Sequence, residues 1–180
     1  MISPLFKLFS ARGRIESCRN RLYQAAYSWC HDRALSEDLV QETLLKALAS
    51  KSGLKNPKYL DTWLFRILIN NWHDYLKSKK AIENFDDYVF QSINDVEKEY
   101  LSGELVTRVR QEVSQLPIML REVITLSDFS GFSYQQIADI MAIPVGTVMS
   151  RLYRARRKLE KALLDTQPVE EGVTYLRKVQ

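Results

Sequence analysis

The chain has 180 residues, 46% of them hydrophobic, and a formal net charge of +4 with a pI of about 9.0. This length allows one medium domain or two small ones with a buried core. The mild basic excess permits a nucleic-acid partner but does not require one. Glycine and proline are few, at six and five residues, and the apolar spacing is helical almost throughout, which predicts an all-α fold.

The cysteines and the N-terminus argue against a disulfide framework and a membrane anchor. Cys18 and Cys30 fall on one predicted helix, roughly 18 Å apart along its axis, which is too far for a disulfide bond. The N-terminal segment MISPLFKLFSARGR has neither a long apolar core nor a small-residue cleavage site. It is therefore predicted to be neither a signal peptide nor a membrane span, and a cytoplasmic location without direct membrane insertion is expected.

The first two predicted helices precede residue 50. A stripe of apolar residues at helical spacing predicts the first helix over residues 12–31. The second is predicted to follow Ser36, a favourable N-cap, with Glu37 and Asp38 in its first turn, where the helix dipole favours negative charge. Five apolar residues are expected to form its buried face: Leu39, Val40, Leu44, Ala47 and Leu48.

A third helix is predicted from Asn56 and Pro57 to about Lys80. Asn56 can cap this helix, and Pro57 suits its first position because the N–H that proline lacks would have no partner there. Trp63 and Trp72 both belong to an apolar stripe with a period of 3.6 residues. They are therefore predicted to be core residues rather than platforms for base stacking, and the three helices can enclose one small core.

An opposing charge pattern divides the rest of the chain. Residues 82–104 hold seven acidic residues against a single lysine, a net charge of −6, whereas residues 144–161 hold six basic residues against one glutamate, a net charge of +5. This asymmetry and a weaker apolar periodicity predict an acidic linker over residues 81–103 between two modules. The second helical module is expected over residues 104–165, and residues 166–180 form a tail without an evident role.

The segment that begins at Ser133 predicts a helix-turn-helix. Ser133 with Gln136 three residues later forms a capping box, so a helix should begin at Tyr134. Pro144 cannot continue this helix but can open the next one, which places a tight turn at residues 142–144. This spacing is typical of a helix-turn-helix, whose second helix can enter the major groove of DNA.

Side chains of the second helix in this motif suit contacts with DNA. Thr147 and Ser150 can donate hydrogen bonds to phosphates or base edges, and arginines can contact phosphates or pair with guanine. The arginines concerned are Arg151, Arg154 and Arg156. An ordinary amphipathic helix with a solvated basic face is the alternative. The tight turn, the pair Gly146 and Thr147, and the charge asymmetry together favour DNA binding.

Three stretches of the sequence resemble the extracytoplasmic-function (ECF) class of bacterial RNA polymerase sigma factors. They are DLVQETLLKAL at residues 38–48, TWLFRILINNWHDYLKSKK at residues 62–80 and IADIMAIPVGTVMSRLYRARRKL at residues 137–159. They occur in that family's order, and the resemblance covers roughly residues 12–163. It implies a two-domain polymerase subunit, with sigma region 2 over residues 1–80 and sigma region 4 over residues 104–165.

The resemblance implies partners in transcription initiation. Region 2 would bind the coiled coil of the polymerase β′ subunit and would recognise and melt the −10 promoter element. Region 4 would bind the β flap and recognise the −35 element, while the acidic linker would enter a basic channel built for nucleic acid. An anti-sigma factor is a further candidate partner, and no cofactor, metal or small-molecule substrate is expected.

The resemblance also assigns contacts to region 2. Asp38, Gln41 and Glu42 match the polymerase-binding segment, and their contact with a basic coiled coil should weaken with salt. A well-capped acidic surface is the alternative. Asn70, with Asn71 beside it, matches the position that captures a flipped −10 base, since an amide can pair with a base edge. A plain surface position is the alternative there. Basic residues that could hold phosphates of the melted strand are Arg66, Lys77, Lys79 and Lys80.

The resemblance assigns the −35 contact to the second helix of the helix-turn-helix. Its DNA-facing positions are Thr147, Ser150, Arg151, Tyr153 and Arg154, with Arg156 beyond them. The sequence departs from the family at Met149, where arginine is frequent, and at Ser127, where a basic residue is frequent. Loss of a guanine contact removes about 1–3 kcal/mol of discrimination, so we predict a changed −35 preference that depends on Met149.

Three other functions were weighed against this one. An enzyme is disfavoured because His31 and His73 are the only histidines and the sequence shows neither a metal-ligand spacing nor a glycine-rich phosphate loop. A stand-alone helix-turn-helix regulator would bind duplex DNA by itself, usually as a dimer. An interaction protein that mimics a sigma factor is disfavoured by the intact basic residues in both predicted DNA-binding regions.

Overall fold

A computed structural model describes residue 13 and residues 17–50, 56–83 and 104–165. Within these residues every regular element is a helix, which confirms the all-α prediction. The N-terminal module consists of α1 (Arg19–Cys30), α2 (Arg33–Ala49) and α3 (Leu60–Glu83), the last preceded by a 3₁₀ turn (Pro57–Tyr59). The C-terminal module consists of α4 (Glu104–Ser114), α5 (Ile118–Ile124), α6 (Tyr134–Met141) and α7 (Val145–Asp165).

The N-terminal helices form because each hides an apolar stripe against the other two. On α1 the stripe is Leu22, Ala26 and Trp29, at the spacing of one helix face. On α3, Trp72 is fully buried, which confirms its predicted core position. The prediction for Trp63 is confirmed only in part, because this residue packs against the core but is half-buried and also lines a surface cavity.

The start of α2 differs from the prediction, because Asp32 and not Ser36 is its N-cap. The backbone of Asp32 is extended (φ −126°, ψ 120°), and its carboxylate accepts a 3.0 Å hydrogen bond from the N–H of Leu35. Ser36 is fully buried one turn later, with its hydroxyl 3.1 Å from the thiol of Cys30. Both residue types suit an N-cap. The N-cap is Asp32 and not Ser36 because the left-handed backbone of His31 (φ 53°) ends α1 just before Asp32.

The predicted buried face of α2 is wrong at one position. Leu39, Val40 and Ala47 are buried, but Leu48 is 50% exposed. Position 48 lies about 100° around the helix from position 47, beyond the face that α1 and α3 cover. The exposed side of α2 therefore carries more apolar surface than the spacing of residues suggested.

The predicted capping box and tight turn are both present in the C-terminal module. The hydroxyl of Ser133 accepts a 3.3 Å hydrogen bond from the N–H of Gln136, whose side chain accepts one of 2.9 Å from the N–H of Ser133. After α6, Ala142 adopts a left-handed conformation (φ 53°), and Pro144 precedes α7. These features confirm the helix-turn-helix.

A π-helical turn connects α5 to this motif. It spans Thr125–Phe129, directly after α5, and ends before Gly131, whose φ is 73°. Only glycine adopts this φ without steric cost. The turn brings Phe132 back towards the N-terminal module, where its ring meets Phe65 edge to face with centroids 4.8 Å apart.

The two modules pack against each other through several elements. α1 contacts α4, α5 and the π-helical turn, while α3 contacts α6. The hydroxyls of Ser28 on α1 and Thr125 on the turn lie 3.0 Å apart, within hydrogen-bond distance. The described residues therefore form one closed arrangement rather than two separated bodies.

The predicted linker and tail fall mostly outside the described residues. α3 continues three residues past its predicted end at Lys80, to Glu83. Residues 84–103 and 166–180 are not described. Among the helices that are, none is both long and apolar enough to cross a membrane.

Candidate nucleic-acid interface

An exposed acidic strip runs along α2. Asp38, Gln41 and Glu42, which the sequence predicts to contact a protein partner, are all exposed. Glu42 forms a 2.7 Å ion pair with Lys46 one turn later. Leu45 lies on the same side and is 67% exposed. The strip thus combines carboxylates with apolar area, the combination found in the rim and centre of protein interfaces.

A surface cavity of about 340 Å³ opens between α2 and α3. Asn70, the predicted base contact, lines this cavity and is exposed. An indole wall from Trp63 and an ammonium group from Lys46 also face it. The remaining lining residues are Ser50, Ile67, Asn71 and Asp74. An apolar wall beside amide groups is the chemistry that holds an unstacked base in other nucleic-acid sites.

Asn71 differs from its neighbour Asn70 because its amide is bonded within the protein. Asn71 is 4% exposed; its oxygen accepts a 2.6 Å hydrogen bond from Lys46, and its nitrogen donates one of 3.1 Å to the hydroxyl of Thr43. That hydroxyl in turn donates to the carbonyl of Leu39. Asn71 therefore fixes the position of Lys46 at the cavity rather than presenting its own amide there.

The basic residues predicted near the −10 contact lie along α3. Arg66 and Lys77 are exposed and Lys79 is half-buried. Lys77 pairs with Asp74 at 3.3 Å, and Asp74 lines the cavity, so Lys77 borders it. Lys80 belongs to α3, but its side chain lies outside what the structure describes.

The predicted −35 residues divide between two sides of α7. Ser150, Tyr153 and Arg154 are exposed, whereas Thr147 and Arg151 are half-buried. The helix is held against its module by three buried residues, Val148, Leu152 and Ala155. The exposed side chains therefore point away from the module core, as a recognition helix requires.

Arg156 is fixed by contacts within its own module. Its guanidinium pairs with both carboxylate oxygens of Asp128, at 2.7 and 3.2 Å, and donates to the hydroxyls of Ser127 (3.4 Å) and Tyr134 (3.5 Å). Burial would raise the pKa of Asp128, but the hydrogen bonds from Arg156 and Ser127 and the positive charge of Arg156 together outweigh burial and lower that pKa. This two-point ion pair ties α7 to the preceding elements.

Sequence analysis missed two buried charged residues on α5, Arg121 and Glu122. Glu122 is 2% exposed, and one of its oxygens accepts hydrogen bonds from the indole N–H of Trp72 at 3.1 Å and from Nε2 of His73 at 2.9 Å. Arg121 is 3% exposed and donates to the carbonyl of Trp29 at 2.7 Å; burial lowers its pKa to about 10. These partners belong to the N-terminal module, and Arg121 also donates to the carbonyls of Ser114 and Leu116 in its own module.

A sequence signal for this contact does exist. Arg121 and Glu122 interrupt an apolar run, between Leu120 and Val123, and charges at such a position are seldom fully buried without a partner. Periodicity alone could not identify the partners, because the bonded residues are at least 49 positions apart in the chain. Among the described residues, no group of three or more histidine, cysteine or acidic side chains is arranged to hold a metal ion.

Comparison with known proteins finds two family matches on separate stretches of the chain. The family described as Sigma-70 region 2 matches residues 14–82, and the one described as Sigma-70, region 4 matches residues 107–159. The RNA polymerase sigma-H factor of Pseudomonas aeruginosa is 35% identical over 145 residues, covering 74% of this chain and 75% of that protein. The ECF RNA polymerase sigma-E factor of Haemophilus influenzae is 37% identical over 140 residues, covering 70% and 73%.

Two solved structures share the fold over both modules. The sigma factor RpoE, in a co-crystal structure with the anti-sigma factor NepR from Bartonella quintana, has a TM-score of 0.75 at 29% identity, covering 88% of this chain and 99% of that chain. CnrH, in complex with the cytosolic domain of CnrY, has a TM-score of 0.59 at 25% identity, covering 88% of this chain and 90% of CnrH. The likeness therefore extends beyond the helix-turn-helix alone.

Proposed function

Because the chain belongs to the extracytoplasmic-function class of RNA polymerase sigma factors, we propose that it binds core polymerase and selects promoters through two separate DNA contacts. The N-terminal module contacts the −10 element and helps to open it, and the C-terminal module contacts the −35 element. The observation that carries this proposal is the presence, on one chain, of the cavity at Asn70 and the exposed side of α7.

The acidic strip on α2 is the proposed polymerase contact. Asp38, Gln41 and Glu42 supply negative charge and hydrogen-bonding groups, while Leu45 supplies exposed apolar area. A basic helical partner would pair with the carboxylates and cover the leucine. Affinity for core polymerase should therefore fall as the salt concentration rises.

The cavity at Asn70 is the proposed site for an unstacked −10 base. The exposed amide of Asn70 can bond to the polar edge of the base, and Trp63 offers an apolar wall. Lys46, held by Asn71, contributes a positive charge for a neighbouring phosphate. Arg66 and Lys77 extend that positive charge along α3. A base held here stays out of the duplex, so binding and strand opening are coupled.

The exposed side of α7 is the proposed −35 contact. Ser150 and Arg154 can donate to phosphates or base edges, and Thr147 stands at the start of the helix, where backbone N–H groups attract phosphate. Arg156, fixed by Asp128, serves to hold the helix in position. The same module is the proposed partner of the polymerase β flap.

The closed arrangement must open for this function. The two promoter elements are centred about 25 base pairs apart, or roughly 85 Å of duplex at 3.4 Å per base pair. A chain of this length folded into one body spans only about 40 Å. We therefore propose that the modules separate when the chain binds polymerase, with the segment between α3 and α4 as the connection.

An anti-sigma factor is a proposed partner of the closed arrangement. Both of these solved structures are complexes, of the sigma factor RpoE with NepR in one case and of CnrH with the cytosolic domain of CnrY in the other. NepR is an anti-sigma factor by its description. A protein that binds both modules at once would hold them together and oppose promoter binding.

Initiation reconstituted from purified components tests the proposal. Core polymerase, with and without this chain, is placed on a promoter template chosen by mapping transcript starts after overexpression. We expect specific initiation only when the chain is present, and little specific binding of the chain alone to the same DNA. Equal initiation without the chain would contradict the proposal, whereas tight specific binding of the chain alone would favour a stand-alone regulator.

A further inference from the structure

The exposed side of α7 carries an apolar strip that hydrogen bonding to DNA does not explain. Met149 and Tyr153 lie one helical turn apart, on the same side of the helix, and are 54% and 63% exposed. Neither residue belongs to the set that packs α7 against its module. The guanidinium of Arg157 lies 5.9 Å from the ring centroid of Tyr153, in a cation–π contact. The strip is therefore an apolar surface framed by positive charge.

One feature of the major groove matches such a strip. Thymine presents a 5-methyl group there, whereas the other base edges present hydrogen-bonding atoms. Ser150 and Arg154 flank the strip and can contact the backbone or neighbouring bases. We propose that Met149 and Tyr153 contact the methyl groups of thymines in the −35 element. This inference rests on the proposed −35 role of the C-terminal module and names the base that the module selects.

Replacement of single thymines by deoxyuridine tests the inference, because it removes only the methyl group. Holoenzyme assembled from core polymerase and the full chain binds a mapped promoter probe in competition with substituted probes. At least one substitution in the −35 element should weaken binding about fourfold, the effect of losing one buried methyl contact. A substitution between the two promoter elements is the matched DNA control and should have no effect.

Two variants of Met149 complete this test. Met149→Leu keeps an apolar side chain of similar length, so sensitivity to deoxyuridine should remain. Met149→Gln is similar in size but polar, so the sensitivity should decrease or disappear. The inference is overturned if no thymine in the −35 element matters, if that element contains none, or if Met149→Gln is as sensitive as the unchanged chain. A complete lack of promoter-specific binding would instead contradict the proposed function itself.

A second inference comes from the contact between the modules, which is independent of α7. Arg121 and Glu122 bond to the N-terminal module, as described above, yet polar groups around them are incompletely paired. Trp29 Nε1, His31 Nε2 and Arg121 Nε are buried without a hydrogen-bond partner among the described residues. A buried polar group without a partner opposes burial, so separation of the modules would relieve Arg121 Nε, whose guanidinium lies buried across the contact at the carbonyl of Trp29.

The contact therefore combines specific bonds with features that favour release. The bonds of Arg121 and Glu122 fix how the two modules are oriented. The unpaired Nε of Arg121 lowers the stability of that packing. We infer that the packed form is a closed resting state of the free chain, held by Arg121 and Glu122. The inference rests on the proposed function, in which the modules separate when the chain binds polymerase.

A reversible crosslink tests the closed state. The hydroxyls of Ser28 and Thr125 lie 3.0 Å apart across the contact, so Ser28→Cys with Thr125→Cys brings two thiols within reach of each other. After oxidation, or closure by a short bis-maleimide, the full chain should lose promoter-specific initiation with core polymerase. Reduction of the disulfide should restore it. The variants Ser28→Cys and Thr125→Cys, each made alone beside the native Cys18 and Cys30 and treated in the same way, are the matched controls.

Two results would overturn the closed state. The first is normal initiation by a sample of the chain whose gel mobility shows that it is crosslinked. The other is failure of both crosslinks to form in the isolated chain, which would mean that the two side chains are not neighbours in solution. If the uncrosslinked double variant does not support initiation even when reduced, while the unchanged chain does, the substitution itself is harmful and the next variant decides.

Glu122→Ala gives the opposite perturbation. It removes the acceptor for Trp72 and His73, and so should raise the fraction of open chain. Because apparent affinity scales with the fraction that is competent to bind, binding to core polymerase should become tighter by the same factor. Glu160→Ala, an exposed acidic position on α7, is the matched control and should bind as the unchanged chain does. Unchanged or weaker binding by folded Glu122→Ala would overturn the inference.

Discussion

The two proposed DNA contacts of this chain differ in shape and in how their side chains are held. The cavity at Asn70 is concave, and its neighbour Asn71 is buried in a hydrogen-bond network with Lys46. The side of α7 that carries Tyr153 and Met149 is convex and exposed. A concave site suits one base removed from the duplex, whereas a convex helix suits the groove of intact duplex. This difference supports our proposal that strand opening and duplex recognition are carried out by different modules.

The largest expected effect comes from Asn70→Ala. This change removes the exposed amide and should reduce open promoter complexes by roughly 5- to 160-fold, since a bidentate pair between an amide and a base edge contributes about 1–3 kcal/mol. Binding to core polymerase should be unchanged, because Asn70 is on α3 and the acidic strip is on α2. Reactivity of unpaired thymines towards permanganate measures opening directly.

Asn71→Ala is the matched control for that change. Its amide is bonded to Lys46 and Thr43 inside the module, so its loss leaves buried groups unpaired and should lower the unfolding free energy by about 1–3 kcal/mol. Thermal unfolding should show this loss for Asn71→Ala and little for Asn70→Ala. Loss of polymerase binding by Asn70→Ala would show that the −10 surface lies elsewhere.

Arg154→Ala should have the next largest effect, confined to the duplex contact. Initiation from promoters that depend on the −35 element should fall roughly tenfold, with the salt dependence of binding reduced by about one ion. Promoter opening, once polymerase is bound, should be normal. Lys161→Ala, further along α7 and also exposed, provides a control for general loss of charge. Equal effects of both variants would mean that Arg154 contributes only non-specific attraction.

Met149→Arg should change which −35 sequences are preferred more than it changes how tightly the promoter is bound. An arginine at this exposed position can pair with guanine, which gives about 1–3 kcal/mol of discrimination. Selection from a randomised −35 element should therefore enrich guanine relative to the unchanged chain, with the −10 preference unaltered. If both chains select the same sequences, position 149 does not face the bases.

The smallest expected effect is on stability as pH changes, and it should leave both DNA preferences unchanged. The hydrogen bond from His73 Nε2 to the Glu122 carboxylate raises the pKa of His73 against the effect of burial. Its contribution to folding stability is therefore present below the ordinary pKa of 6.5 and is lost as pH rises through the raised pKa. Burial, with Arg121 nearby, lowers the pKa of His31 to about 4. Its contribution to folding stability is therefore present above pH 6.5 and decreases as pH falls towards 4.

Because the pKa of His73 is raised and that of His31 is lowered, thermal stability should be greatest near pH 6.5, the ordinary histidine pKa. His73→Gln should remove the decline on the alkaline side. His31→Asn, which tolerates the left-handed backbone at that position, should reduce the decline on the acid side. Melting temperatures measured across pH 5 to 9 for the three chains test this. A profile that neither variant changes would show that other groups control the pH dependence.

The sequence by itself determined the local elements of this protein. The helix-turn-helix follows from Ser133, Gln136 and Pro144, because capping boxes and proline act within a few residues. The family, the order of the two modules and their helical class also follow from the sequence. The roles of Asn70 and the residues of α7 stay predictions, because side-chain exposure alone does not identify a ligand.

Only the tertiary structure decided which polar side chains are committed inside the protein. Neighbouring asparagines look alike in sequence, but Asn71 is buried against Thr43 and Asn70 is not. Arg121 and Glu122 resemble ordinary surface charges until α5 packs against the N-terminal module. Burial and pairing across distant segments depend on how helices pack, and helix packing is set by the whole core rather than by any local pattern.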